Sequence, residues 1–161
     1  VIDIRRANAA DAGAILGILL PTIREGATYT LDRDMSEADA LAYWMAPDKE
    51  TFVAEEDGEV VGTYYIRQNH AGGGRHICNC GYMTRRTATG RGVARLMCEH
   101  SLSHARTRGY RAMQFNFVVS TNDRAVRLWQ SLGFEIVGRL PLAFEHPTAG
   151  FVDAFVMYQQ L

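Results

Sequence analysis

The first residues alternate apolar and polar positions, with Ile2 and Ile4 before Arg5, and predict a short strand. From Asp11, a residue type suited to capping, Ala12, Ile15, Leu16 and Leu19 recur on one helical face, and Pro21 is expected to stop that helix. Glu25 to Asp34 has no helical period and reads as a loop. Ser36 can cap a second helix with Ala38, Leu41, Ala42 and Met45 on one stripe, before Pro47 and Asp48 break it. Thr51–Glu56 and Glu59–Gln68 then read as a hairpin around Asp57-Gly58. Gly72-Gly73-Gly74 leads into an apolar run from His76 to Met83, suited to a central strand. A long helix is predicted from Gly92 toward Arg108, closed by Gly109, with Ala94, Met97, Cys98, Ser101, Leu102 and Ala105 on its core stripe. Ala112–Val119 follows as a strand, and Asp123–Leu132 as a helix closed by Gly133. Phe134–Arg139 and Phe151–Tyr158 read as the last strands, joined by a long loop from Leu140 to Gly150.

The predicted order is β, α, α, β, β, β, α, β, α, β, β. Three consecutive strands before the long helix favour a mixed α/β (α+β) sheet that is largely antiparallel, and the unit from residue 76 to 119 should form a parallel crossover. The 161 residues suit one domain spanning residues 1–161. A formal net charge of −1 provides no field for nucleic acid or an anionic membrane, so neither partner is expected. No apolar run approaches the ~20 residues of a membrane helix. The opening VIDIRRANAADAG lacks a signal-peptide pattern, so the cytoplasm is the expected location. Cys78, Cys80 and Cys98 are odd in number and read as reduced, buried thiols rather than a disulfide framework or half of a metal site. His100 and His104 lie one helical turn apart, but with no third ligand apparent they read as a half-buried helix face, so no metal is expected.

Candidate chemistry centres on Thr89-Gly90-Arg91-Gly92-Val93-Ala94, between a strand and a helix start. Gly90 and Gly92 let the backbone approach a ligand closely, and the helix start offers unpaired N–H groups, a combination that binds phosphate or pyrophosphate. Arg85, Arg86 and Arg91 are expected to add charge beside it. The nucleoside-triphosphate loop is excluded, since no Gly-Lys-Ser or Gly-Lys-Thr occurs. The dinucleotide fingerprint fails where Arg95 takes its final glycine position. A plain helix start with two turn glycines remains the bland alternative.

The chain resembles the GNAT superfamily of acyl-CoA-dependent N-acetyltransferases. The superfamily loop [Q/R]-x-x-G-x-[G/A] is matched at its two small positions, Gly92 and Ala94, with Thr89 replacing Gln or Arg. Asn122-x-x-Ala125-x-x-Leu128-Trp129-x-x-x-Gly133-Phe134 is similar to the superfamily's downstream helix, with Trp129 where tyrosine is frequent. FNFVVSTN, with Asn116 and Asn122, and the earlier Asn79 resemble L-azetidine-2-carboxylate N-acetyltransferases within the superfamily.

The resemblance implies a GNAT-like fold, a seven-stranded sheet flanked by about four helices. It implies acetyl-CoA as co-substrate, held by Met83, Thr84, Thr89, Gly90, Arg91, Gly92, Val93, Ala94, Asn122 and Trp129. Backbone N–H groups near Met83 and Thr84 would stabilise the thioester oxyanion. Asn79, Asn116 and Tyr29 would contact the acceptor, a small-molecule amine, preferably an amino or imino acid. Asn122, Asn79 and Glu25 are the catalytic candidates, Glu25 as general base, with Tyr29, Tyr82 or a water relay as alternatives. Trp129 would pack on the pantetheine or in the core, since an indole N–H is no proton source. The Leu140–Gly150 loop, with Phe144, Glu145 and His146, is expected on the acceptor side. Apolar residues in the last strands, Phe151, Phe155 and Val156, leave room for a homodimer. Two other functions stay open: a non-catalytic acyl-CoA-binding module, or an acetyltransferase acting on a protein amine.

Overall fold

The computed structural model describes residues 1–161. Seven strands form one sheet: β1 (Ile2–Arg6), β2 (Lys49–Glu56), β3 (Glu59–Gln68), β4 (Ile77–Thr84), β5 (Ala112–Val119), β6 (Glu135–His146) and β7 (Gly150–Gln160), in the spatial order β1-β2-β3-β4-β5-β7-β6. Every neighbouring pair is antiparallel except β4–β5. The four helices are α1 (Ala12–Glu25), α2 (Glu37–Trp44), α3 (Val93–Thr107) and α4 (Asp123–Ser131). The expected mixed α/β architecture and element order are therefore those observed. No helix is long and apolar enough to cross a membrane.

Alternation along the strands feeds two cores. On one face, Ile15, Ile18, Leu19 and Ile23 of α1 and Ala40 and Trp44 of α2 cover Val53, Val60, Tyr65 and Met83. On the other, α3 and α4 contribute Met97, Cys98, Leu102, Val126 and Trp129 against Phe52, Tyr64, Cys80, Met113 and Phe115. The three cysteines are free and buried. His100 and His104 of α3 bond onto the sheet beneath the helix, to the Tyr64 hydroxyl at 2.7 Å and Glu50 at 3.1 Å. Asp57 and Gly58 take positive φ values, 52° and 80°, as a two-residue hairpin turn of their type requires.

Several local expectations are corrected. Asp11 makes no side-chain capping bond to α1. Its carboxylate pairs with Arg5 and accepts from the Asn8 N–H, and Asn8 caps the preceding turn. Pro21 does not end α1, which runs on to Glu25 and closes at Gly26 with φ 67°. A proline inside a helix costs about 3 kcal/mol. Burial of an isoleucine such as Ile23 contributes about 1.5–3 kcal/mol, and the Arg86 guanidinium donates to the Pro21 carbonyl at 3.0 Å. Ser36 does cap α2, but the buried positions are Ala40 and Trp44, while Ala38 and Ala42 face solvent. The segment read as a long loop before Gly150 is mostly strand, with an irregularity between Leu140 and Phe144 that accommodates Pro141 and the positive φ of Leu142.

Candidate active site

The parallel β4–β5 pair is the feature on which the site is built. Only Ile77–Ala112 and Cys78–Met113 are in register, and beyond them the strands part. The Asn69 N–H donates to the Ile77 carbonyl and the Arg85 N–H to the Val61 carbonyl, so the odd-numbered residues of β4 bond toward β3. Alternation then turns the N–H and C=O groups of Cys80, Tyr82 and Thr84 toward the parted side. Of the two expected donors, Thr84 thus faces the gap, whereas Met83 bonds toward β3 and packs its side chain under α1 and α2. Asn79 sits at the vertex, 8% exposed, and its Nδ2 donates to the Gln114 carbonyl at 3.0 Å, the β5 group next beyond the end of the ladder.

A cleft of about 630 Å³ runs through the parting. At one end lies the loop to α3. Gly90 and Gly92 have φ values of 85° and 82°, where any side chain would be strained. The first α3 bond runs from the Leu96 N–H to the Gly92 carbonyl, which leaves the N–H groups of Val93, Ala94 and Arg95 without intrahelical acceptors. Those of Gly90, Arg91 and Gly92 find no backbone acceptor either. Thr89, Gly90, Gly92, Val93 and Ala94 line the cleft. The loop arginines do not: Arg85 lies against Glu59, Arg86 binds Glu25 at 3.2 Å and Arg91 binds Glu56 at 3.0 Å. Arg95 and Arg124, at the starts of α3 and α4, supply the charge instead. Asn122 caps α4 through its Oδ1, 3.4 Å from the Ala125 nitrogen, and also lines the cleft. Trp129 belongs to both environments: it lines the cleft and packs against Tyr82 and Phe115 at 5.1 and 5.2 Å in the core. This end can hold a phosphorylated ligand on backbone N–H groups and two guanidinium ions.

At the other end, Tyr29, Tyr43 and Tyr65 form the wall. The Tyr29 hydroxyl crosses to the gap and donates to the Tyr82 carbonyl at 2.9 Å. Tyr65 lies over Gly81, where a Cβ would meet its ring at 2.6 Å, and its hydroxyl is 3.4 Å from that of Tyr43. Burial raises the pKa values of Tyr29, Tyr65 and Tyr82 above the ordinary phenol range, so all three stay protonated and serve as donors. Asn116 sits in the β5 irregularity between Phe115 and Val118 and exchanges two side-chain hydrogen bonds with Asn69, at 2.7 and 3.2 Å. Asn79, Asn116 and Tyr29 are therefore brought to one end of the cleft, with Asn122 and the glycine loop at the other.

Glu25 is not brought in. It ends α1, tied to Arg86, outside the cleft lining. No aspartate, glutamate, histidine or lysine lines the cleft, and its charged groups are Arg67, Arg95 and Arg124. Phe144, Glu145 and His146 do not line it either, although Phe144 packs on Phe117, which does. Sequence reading missed Tyr43, Tyr65, Arg67, Arg95 and Arg124. Alternation along β3 carried part of that signal, since Tyr65, Arg67 and Asn69 share one face.

Residues 20–134 match the Acetyltransferase (GNAT) family. The chain is 28% identical over 151 residues to N-acetyltransferase aca1 of Schizosaccharomyces pombe (strain 972 / ATCC 24843), a match covering 83% of this chain and 72% of that protein. It is similar to the structure of a GCN5-related N-acetyltransferase from Kribbella flavida, with 40% identity, a TM-score of 0.95, and coverage of 99% of this chain and 98% of that one. It is also similar to yncA, a putative acetyltransferase from Salmonella typhimurium determined with its cofactor acetyl-CoA, at 25% identity and a TM-score of 0.88, covering 100% of this chain and 94% of that one. The parted β4–β5 pair, the glycine loop at α3 and these likenesses agree: the chain belongs to the GNAT family of acetyltransferases, the N-acetyltransferases that draw their acetyl group from acetyl-CoA.

Proposed function

We propose that the protein moves the acetyl group of acetyl-CoA to the amine of a small amino or imino acid, by direct attack within a ternary complex. The observation that carries this reading is the single cleft that joins the unpartnered N–H groups of the α3 loop to the tyrosine-walled end through the parted strands. Acetyl-CoA is the co-substrate. Its pyrophosphate would sit on the Gly90–Ala94 backbone beside Arg95 and Arg124, with Thr89, Asn122 and Trp129 along the pantetheine. The thioester then lies at the gap, where the Thr84 and Tyr82 N–H groups face it.

The acceptor arrives as an ammonium and must lose a proton before it attacks. With no carboxylate, imidazole or lysine lining the cleft, water takes that proton. The Tyr65 hydroxyl and the Tyr29 oxygen hold the water and the amine, Tyr29 as acceptor only because its own proton goes to the Tyr82 carbonyl. The amine nitrogen bonds to the acetyl carbon and the oxyanion rests on the β4 N–H groups. The attacking nitrogen sheds its second proton to water, collapse breaks the carbon–sulfur bond, and the departing thiolate takes up a proton from water, leaving a neutral amide and free CoA thiol. Asn79 and Asn116 bound the acceptor end, and Asn122 completes the cofactor end.

An amino or imino acid is favoured over a protein amine because every charge lining the cleft is positive, which disfavours lysine-rich peptides and polyamines. The likeness of Asn79, Asn116 and Asn122 to L-azetidine-2-carboxylate N-acetyltransferases points to the same class. The test is thiol release from acetyl-CoA over L-azetidine-2-carboxylate, proline analogues, phosphinothricin-like amino acids, polyamines and peptides. Release with amino or imino acids and not with polyamines is expected. Binding of acetyl-CoA without release in any arm would leave a non-catalytic module and end this reading.

A further inference from the structure

We propose that Arg67 is the anchor for an acceptor carboxylate, so that the substrate must carry an anion beside its amine. This rests on the transferase reading above and adds a specificity-determining residue to it.

Arg67 is the cation of the cleft that stands on β3, away from the α3 loop. Of the other two, Arg95 donates to Ser131 at 2.9 Å, and an Arg124 nitrogen lies 3.2 Å from where a Cβ on Gly90 would be. The Arg67 side chain makes no hydrogen bond, although a guanidinium carries five donors. Its Nε is the one buried side-chain nitrogen or oxygen in the chain without a partner. Asp48 Oδ2 lies 3.7 Å from that Nε, too far for a hydrogen bond, and the Asp48 side chain is mostly exposed. A buried, unpaired donor on a guanidinium is costly, and most native structures satisfy such groups. The side chain as a whole is 33% exposed and lines the cleft, so a ligand carboxylate can place its two oxygens on the accessible nitrogens of the planar fork.

The neighbours fit the same ligand. Asn79 is the cross-strand partner of Arg67 on β4, and Lys49 is its partner on β2. The Lys49 ammonium is turned away onto the Tyr43 carbonyl and the Tyr43 and Tyr65 rings, and it does not line the cleft. Its charge still adds to the positive field around Arg67. Two residues along β3, about 7 Å away, Tyr65 lies over Gly81 beside the parted strands. A carboxylate held at Arg67 therefore sets an amine on the adjacent carbon toward the gap. The guanidinium charge also favours the neutral amine over the ammonium, which assists a cleft that has no base of its own.

The test pairs each of L-azetidine-2-carboxylate, L-proline and glycine with its carboxamide, in the wild type, Arg67→Met and Arg67→Lys. The wild type should prefer the acid in kcat/KM by about 10- to 100-fold, the equivalent of charge-assisted hydrogen bonds worth ~1.5–3 kcal/mol. Arg67→Met should abolish that preference by raising the KM for the acid far more than that for the carboxamide, with the KM for acetyl-CoA unchanged. Arg67→Lys, which keeps the charge and loses the fork, should restore part of it. The thermal midpoint of Arg67→Met should be no lower than that of the wild type, since an orphaned donor is removed. Equal rates within every pair, or an acid preference that survives in Arg67→Met, would overturn the assignment while leaving the transferase reading intact. Absence of thiol release with every amine would instead overturn that reading, and this assignment with it.

Discussion

Single residues shape the acceptor end. Gly81 is required by the ring that crosses it, since a Cβ would stand 2.6 Å from the Tyr65 ring and 3.0 Å from its hydroxyl. Gly81→Ala must push that ring off its place, at a cost of about 1–3 kcal/mol. The expected outcome is a lower urea midpoint together with a raised KM for the acceptor, whereas acetyl-CoA binding by calorimetry stays unchanged. Lys49 provides a pH signature of the same wall. Burial, and then the Arg67 charge, lower its ammonium pKa from 10.5 to about 8, against a smaller opposing pull from Asp48. Between those values the unfolded chain holds a proton that the folded chain does not, so Lys49 makes stability rise with pH across that window. Below it both states are protonated and the penalty is constant. Unfolding of the wild type and Lys49→Met, compared at pH 8 and pH 10.5, should show the variant's advantage shrinking toward the higher pH. An advantage that grows would contradict the burial of a strained cation.

Elements carry the cofactor end. The α3 start works because Gly90 and Gly92 hold positive φ and leave consecutive N–H groups turned out. Gly92→Ala, with φ at 82°, should cost about 1–2 kcal/mol of strain in the bound loop and raise the KM for acetyl-CoA roughly 5- to 30-fold, with the acceptor KM little changed. At this scale the sequence was informative where periodicity was clean. The DG hairpin, the stripe of α3 and the helix starting at Asp123 were all legible. It misled at Pro21, where burial of Ile23 together with the Arg86 bond to the Pro21 carbonyl offsets a local breaker, and at Leu140–Gly150. That segment belongs to an edge strand, most of it exposed, so no buried face marks it with alternation. Cleft charge was illegible for a different reason. Arg85, Arg86 and Arg91 are adjacent to the loop in sequence, but Glu59, Glu25 and Glu56 from other elements take them. Nothing local to those positions records the pairing.

At the scale of the whole molecule, function follows from one break in an otherwise continuous sheet. Two cores cover the sheet's faces, and β4 and β5 part between them, so a ligand can pass from the α3 side to the α1–α2 side. In the proposed mechanism both substrates meet over the same backbone groups, which favours direct transfer over a relay through the protein. The one thiol that could intervene is Cys80, which lines the cleft. Burial pushes its thiol pKa well above the ordinary value, so little thiolate forms near neutral pH. The most direct measurement is an initial-velocity matrix, with acetyl-CoA and the best amino or imino acid each varied at several fixed levels of the other. Direct attack in a ternary complex predicts double-reciprocal lines that intersect, and no CoA burst before the amine is added. Parallel lines with a burst of about one CoA per chain would mean that an acetyl-enzyme forms first, and would contradict the account.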